Sequence, residues 1–319
     1  MAKYDLLTFG ETMLRLSPER NMYLEQAHSL DINFGGAESN VASNMARLGL
    51  HSCWYSRLPD NPIGHACVRD LRGHGVDTHL VDWSPDERMG VYYIQYGEDP
   101  RGIRVWYDRA NSAASHISPE TLPLAEIGET RWLHLTGITP ALSESCRAAV
   151  AAALDYATEH DVSTSFDVNY RALLWDTATA AAVLDPFCKQ ADVVFVALRD
   201  AVNLWGVPDN IRGALDALHE KWGGIIILTS GDQGAWAYDG SERYQAESVP
   251  VTIVDRIGAG DAFASGTLFG LLNDKPIQEA MAYGTSLAAL ALTTLGDMVF
   301  ATREDLESLV TGRGGALRR

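Results

Sequence analysis

Apolar and polar positions follow two rhythms along this chain, and the two rhythms take turns. Short apolar runs of strand length fall at 6–9, 52–56, 132–135, 163–168, 193–196 and 225–228. Between them lie longer stretches with apolar residues three and four apart, notably 143–159 and 211–222. A further helix is expected from Ser39, a residue type suited to an N-cap. It carries Val41, Ala42, Met45 and Leu48 on one face, and Gly49 closes it. Strands alternating with helices build a parallel sheet, because each parallel connection must cross one face of the sheet. The class is therefore α/β, with helices on both faces.

Two segments interrupt this rhythm. Residues 13–33 and 89–108 have little helical periodicity and several short extended runs, including 91–96 and 103–107. They read as a small sheet set apart from the core. The Gly- and Arg-rich end, 313–319, is expected to fray.

The strongest local pattern lies late in the chain. An alternating run at 249–254, read as a strand, leads into Asp255-Arg256-Ile257-Gly258-Ala259-Gly260-Asp261-Ala262-Phe263 and then a long apolar stretch with Gly266. Strand, glycine turn and helix follow in that order. Gly258 and Gly260 would let the backbone approach a ligand and take the positive φ such a turn needs. Successive N–H groups at a helix start form an anion site, reinforced by the helix dipole. Asp261 sits within that site. A carboxylate suits a phosphate site only where it accepts a proton from the group attacking the phosphate. The plainer alternative is a glycine-capped loop with an acidic helix start.

These residues resemble the C-terminal motif of the ribokinase-like (PfkB) carbohydrate kinases, D-[TR]-x-G-A-G-D-x-F-x-x-G. The family's Gly-Gly motif has a counterpart in Phe34-Gly35-Gly36-Ala37-Glu38-Ser39-Asn40. Within the family, the Arg256 version of the loop and the opening Gly10-Glu11-Thr12-Met13-Leu14-Arg15-Leu16-Ser17-Pro18 resemble the 2-keto-3-deoxygluconate kinase branch. That branch also matches Gly137-Ile138-Thr139-Pro140 and Asp167-Val168-Asn169-Tyr170-Arg171.

The resemblance implies a ribokinase-like fold, with a mostly parallel central sheet and a β lid that often clasps a partner's lid. The core would comprise 1–10, 35–86 and 109–312, and the lid 11–34 and 87–108. It implies ATP as phosphoryl donor, with Mg2+, and 2-keto-3-deoxygluconate or its galactonate epimer as acceptor. Asp261 becomes the general base, and the N–H groups of Gly258, Ala259, Gly260 and Asp261 the anion hole. Gly35, Gly36, Asn40, Tyr92, Tyr107, Arg109, Ile138 and Arg171 become substrate contacts. Ser230, Gly231, Gly234, Asp255, Gly258 and Gly260 fall to the nucleotide. Arg109 and Arg171 matter most for the acceptor, since a guanidinium grips a carboxylate through paired N–H bonds. Each has an ordinary alternative: Asn40 as a helix-start cap, Arg256 in a surface ion pair, Arg109 pairing with Asp108 or Glu98, Arg171 steadying phosphate only. One departure stands out. Where the family often has Asn-x-x-Glu beside the metal, this chain has Ala197-Leu198-Arg199-Asp200, which leaves Asp200 as the candidate metal ligand.

Composition narrows the remaining choices. The 319 residues suffice for one large domain with an appendage, and 46% hydrophobic content is ordinary for a globular chain. No run approaches the roughly 18 apolar residues of a membrane span. A net charge of −17 argues against non-specific nucleic-acid binding. Of 25 basic residues only Lys3, Lys189, Lys221 and Lys275 are lysine, which fits salt adaptation or plain acidic drift. Cys53, Cys67, Cys146 and Cys188 lack metal or redox spacing and fit free thiols in a reducing cytoplasm. The expected partners are small molecules, together with a second copy through the lid. A fructokinase or other ketose kinase, and a non-catalytic sugar-binding relative, remain as alternatives.

Overall fold

The structure, a computed structural model, describes residues 2–97 and 100–312. The tail at 313–319 lies outside the described residues. The strands are β1 (Tyr4–Phe9), β2 (Met13–Ser17), β3 (Asp31–Gly35), β4 (Ser52–Tyr55), β5 (Arg57–Pro59), β6 (Asp82–Ser84) and β7 (Val91–Gln95). They continue as β8 (Arg104–Asp108), β9 (Thr130–Thr136), β10 (Ser163–Asp167), β11 (Val193–Ala197), β12 (Ile225–Thr229), β13 (Ala235–Tyr238) and β14 (Arg243–Ala246). The principal helices are α1 (Ala37–Arg47), α2 (Pro62–Gly73), α3 (Leu124–Gly128), α4 (Thr139–Leu142), α5 (Glu144–Glu159) and α6 (Thr177–Gln190). After them come α7 (Leu198–Trp205), α8 (Ile211–Trp222), α9 (Ala259–Leu272), α10 (Ile277–Leu292) and α11 (Arg303–Val310).

Eight strands form the main sheet in the order β14-β13-β12-β11-β10-β9-β1-β4. All its pairings from β4 to β12 are parallel, and the β13–β14 hairpin closes the edge antiparallel. The period of two explains why both faces are covered. In β11, Val194 and Val196 join the core under α5, α6 and α8, whereas Val193 and Phe195 join the core under α1, α9 and α10. A strand buried on both faces is apolar at every position, which is how these runs read in sequence. Helix boundaries follow local chemistry. The Ser143 hydroxyl accepts from the Cys146 N–H at 3.1 Å to start α5, and the Asn210 side chain accepts from the Gly213 N–H at 2.8 Å to start α8.

Two expectations need correction. Residues 249–254 are not a strand. Pro250 has no N–H for a ladder, and the Val254 N–H is taken by the Leu292 carbonyl at 2.7 Å. Helix α1 begins two residues before Ser39, with Gly36 as its N-cap. The Ser39 hydroxyl instead donates to the Gly36 carbonyl at 3.0 Å and accepts from Thr12 at 2.6 Å, fastening the helix start to the chain leaving β1.

A second sheet of four strands, β3-β2-β7-β8, stands apart from the first. Alternation gives it two faces. Met13 and Tyr92 look inward, as do Val105 and Tyr107, while Leu16, Ile32, Tyr93 and Trp106 line an outer apolar hollow. The four cysteines are buried and unpaired. Among the described residues no helix is long and apolar enough to cross a membrane.

Candidate active site

Between the inner face of the small sheet and the C-terminal ends of the parallel strands lies a cavity of about 540 Å³. Such strand ends are where open α/β sheets bind ligands, because the loops there diverge. Asp167 reaches the cavity from the end of β10, Val196 and Ala197 from β11, and Thr229 from β12. The small sheet supplies the opposite wall, including Tyr92 and Tyr107.

Asp261 stands in the first turn of α9, 8% exposed. Its Oδ2 accepts from Asn40 Nδ2 at 2.7 Å, which leaves the other oxygen to face a ligand. Burial pushes its carboxyl up to about 7; the Asn40 bond and Arg171 act against that shift, and Asp167 and Asp297 add to it. A base titrating near neutrality is suited to proton transfer at physiological pH. Gly258 caps α9 at φ 78°, and a Cβ there would overlap the Asp297 carbonyl, so a side chain is excluded twice over. Gly260 lies within the helix at negative φ, contrary to the sequence expectation, and the space beside it is open. Ala259 opens α9 without lining the cavity.

On the sheet side, Asn40 fills both roles considered for it. Its Oδ1 accepts from the Gly36 N–H at 3.3 Å, a helix-start bond, while its Nδ2 holds Asp261. Gly36 is required by close approach, since a Cβ would strike the Glu11 carbonyl. Gly35 and Ile138 also line the cavity. Tyr92 is 5% exposed, donates to Asp297 Oδ1 at 3.0 Å and stacks on Tyr107 with ring centroids 6.0 Å apart.

The two arginines differ. Arg109 is bound through Nε and Nη2 to the Glu11 carboxylate, with Nε–Oε2 at 2.8 Å, while Asp108 pairs with Arg88 and Glu98 lies outside the described residues. Glu11 thereby fixes the direction in which the remaining Arg109 N–H groups point. Arg171 lines the same cavity, is exposed, and forms no ion pair among the described residues. Its placement follows from the turn before it. Asn169 takes φ 40°, which asparagine tolerates, and its N–H and side chain donate to Asp167 at 3.1 and 3.3 Å. Arg256 is in the wall and likewise lacks an ion pair among the described residues, so the surface-pair alternative falls away.

Of the other expected residues, Asp200 lines the cavity, and Asp255, Ser230, Gly231 and Gly234 do not. Asp255 is 1% exposed and does not line the cavity. Its carboxylate accepts from Ile257 N–H at 3.1 Å and from Tyr96 at 2.6 Å, bonds internal to the protein. Ser230, Gly231 and Gly234 make the turn after Thr229, just beyond the wall. Asp200 does line the cavity, beside the Ala197 that replaces the family's asparagine.

Three contributors escaped the sequence reading as site residues: Glu11, Asp167 and Asp297. Glu11 and Asp167 stood inside quoted motifs. Asp297 follows an unremarkable loop and had no sequence signal. Burial raises the Asp167 carboxyl to about 7, so two carboxyls titrating near neutrality share one cavity.

Comparison with known proteins agrees with this geometry. The model of the pfkB family of carbohydrate kinases matches residues 3–303. A 2-dehydro-3-deoxygalactonokinase of Haloferax volcanii is 37% identical over 320 residues, covering 99% of both chains. A 2-dehydro-3-deoxygluconokinase of Bacillus subtilis is 30% identical over 314 residues, covering 98% of this chain and 97% of its own. The crystal structure of a 2-dehydro-3-deoxygluconokinase from Thermotoga maritima superposes with a TM-score of 0.91 at 32% identity, covering 96% of this chain and 99% of that one. With the cavity, the helix-start turn and the lid all in place, this chain belongs to the pfkB family of carbohydrate kinases.

Proposed function

We propose that the chain transfers the γ-phosphoryl group of ATP to the 6-hydroxyl of 2-dehydro-3-deoxygluconate (2-keto-3-deoxygluconate), or of its galactonate epimer. The observation that carries this reading is one cavity holding a base with a carboxyl near 7, Asp261, and two arginines, Arg109 and Arg171. In this mechanism the sugar oxygen attacks the γ-phosphorus, the bond to the β-phosphate oxygen breaks, and the hydroxyl proton passes to the free oxygen of Asp261. Asn40 keeps that carboxylate aimed. The N–H groups from Gly258 to Asp261 receive the charge that develops on the phosphoryl oxygens. Arg109, already oriented by Glu11, and Arg171 enclose the acceptor's carboxylate. Gly35, Gly36, Tyr92, Tyr107 and Ile138 shape the rest of the sugar pocket. The nucleotide lies toward Thr229, Gly260 and the turn carrying Ser230, Gly231 and Gly234.

Magnesium fits the donor set, because Asp167 and Asp200 offer hard carboxylate oxygens on the cavity wall. When bound with the nucleotide it would neutralise phosphate charge. The names of the two relatives at 30% identity or more divide between the two epimers, which differ at one hydroxyl. A neutral ketose is the second acceptor class, and it leaves the two arginines unexplained. The exposed Ile32 and Trp106 on the outer lid face, 65% and 44% exposed, favour pairing of two lids across that surface. The unpaired buried thiols favour a reducing compartment such as the cytoplasm.

The test is a coupled ADP-release assay with both sugar acids, fructose and ribose at equal concentration. Sugar-acid turnover well above ketose turnover is expected. Equal or better turnover of fructose would move the assignment to a ketose kinase.

A further inference from the structure

Arg15 is the second inward-facing residue of β2, two positions after Met13, and it is only 2% exposed. Its guanidinium lies between two carboxylates that belong to opposite sides of the anion-binding turn. Nη1 donates to Asp297 Oδ2, and Nη2 lies 3.4 Å from Asp255 Oδ2. Nη2 also donates to the Tyr96 hydroxyl, which in turn donates a hydrogen bond to Asp255 Oδ2 at 2.6 Å.

Both carboxylates control the turn. Asp255 Oδ1 accepts from the Ile257 N–H at 3.1 Å and Oδ2 from the Gly296 N–H at 3.4 Å, so it pins the loop before Gly258 to the loop before Asp297. The main-chain carbonyl of Asp297 occupies the volume that a side chain at Gly258 would need. The Asp297 carboxylate lines the cavity and accepts from Tyr92, a residue of the other central lid strand. Arg15 is opposite Tyr92 in the parallel register of β2 and β7. One lid cation therefore meets both loops that shape the phosphate site. No other cation pairs with either carboxylate among the described residues.

We propose that Arg15 is a positioning residue for phosphoryl transfer: it locks the lid to the anion-binding turn, so that sugar binding under the lid and nucleotide binding at the turn favour each other. A buried guanidinium between two carboxylates has few alternative places to go, because leaving either one strands a charge out of water. A ligand that seats β2 and β7 therefore seats the turn as well, and the effect is reciprocal by linkage.

The inference rests on the kinase reading, and the test separates the two. A non-hydrolysable ATP analogue is titrated calorimetrically with and without the sugar acid that the wild type turns over best, using the full chain, Arg15→Met and Arg15→Lys. In the wild type the sugar should raise analogue affinity about fivefold or more. In Arg15→Met each ligand alone should bind within about threefold of wild type, the coupling should fall to about one, and kcat should drop at least about 30-fold with a smaller change in KM. Arg15→Lys keeps a buried cation, which guards against simple unfolding, but it lacks the fork that spans both carboxylates. It should fold and still lose most of the coupling. A folded Arg15→Met or Arg15→Lys with wild-type coupling overturns the proposal. So does a wild type that shows no coupling at all. Wild-type turnover in the same preparation leaves the kinase reading standing in each of those cases.

Discussion

The two walls of the cavity are built to different standards. On the side that faces the acceptor, where the small sheet meets α1 and α9, the polar groups are already bonded: Glu11 to Arg109, Asn40 to Asp261, Tyr92 to Asp297. Toward Thr229, Arg256 and Gly260 are exposed, and Gly231 sits on an open turn. The first wall has met its ordering cost during folding, so a ligand there meets groups already aimed at it. The second wall must be ordered by what binds. A small acceptor has few atoms with which to secure its position, and stereochemistry must be read from them. A nucleotide triphosphate brings its own charge and size. The difference suggests which partner the protein must discriminate and which it need only hold.

The sharpest way to break this contrast is to disable the wall that arrives assembled. Asp261→Asn keeps the size and the bond-forming capacity of the site but cannot accept a proton. Turnover should fall on the order of 10²–10⁴-fold while ATP binding persists. A variant retaining more than about a tenth of wild-type turnover would remove Asp261 as the base. The same substitution has a stability consequence with a definite sign. The Asp261 carboxyl is raised to about 7 from an ordinary 3.8, so the native state holds this proton more tightly than the unfolded chain does. The stability that this protonated carboxyl contributes is full below about pH 4 and is lost progressively as pH rises to about 7. The melting temperature of Asp261→Asn relative to wild type should therefore rise between pH 5 and pH 8. A constant difference would mean that burial does not tax the charged form.

A finer test compares the prepared arginine with the free one. Replacing Arg109 or Arg171 by Ala should lower kcat/KM for a sugar acid about 10- to 150-fold, and far less for neutral fructose. Arg109 should act mainly through KM. Arg171, near the transferring group, should lower kcat as well. Glu11→Gln should imitate part of the Arg109 loss without touching substrate, since it only loosens the aim. Equal losses on acid and ketose for Arg109→Ala would defeat the carboxylate clamp.

Salt should have the smallest effect, and it should separate surface from cavity. With a net charge of −17, exposed acids repel one another, and added potassium chloride screens that repulsion. The melting temperature should rise from dilute buffer to molar salt, with the buried pairs of the acceptor wall little affected. A flat or falling melting curve would leave salt adaptation without support.

Much of this arrangement could be read in the chain, and the parts that could not share a cause. The central strands were legible because two-sided burial makes every position apolar, as in Val193 to Val196. The helix-start turn was legible because glycine spacing and an acid in an anion site are unusual together. The run at 249–254 misled because alternation alone cannot reveal where a backbone N–H finds its partner, and here Val254 bonds to Leu292. Asp255 looked like a ligand contact from its place in the motif, but only the fold shows its carboxylate turned toward Tyr96 and Arg15. Asp297 is the extreme case. It enters the site through contacts with residues 205 and 282 positions away, and no local pattern encodes such a pairing.

Those long separations also govern how the protein comes into being. Arg15 is made early, and its partners Asp255 and Asp297 follow 240 and 282 residues later. The β2 strand therefore waits through most of synthesis with a cation that has no counter-charge to bury against. Closing contacts of that span is slow compared with pairing near neighbours. The consequence is an order of assembly: the parallel core can grow strand by strand, but the lid can be sealed only when the chain is nearly finished. A prematurely ended chain lacking Asp297 would leave Arg15 and Tyr92 without the carboxylate they share, and so a small sheet not fastened to the turn before α9.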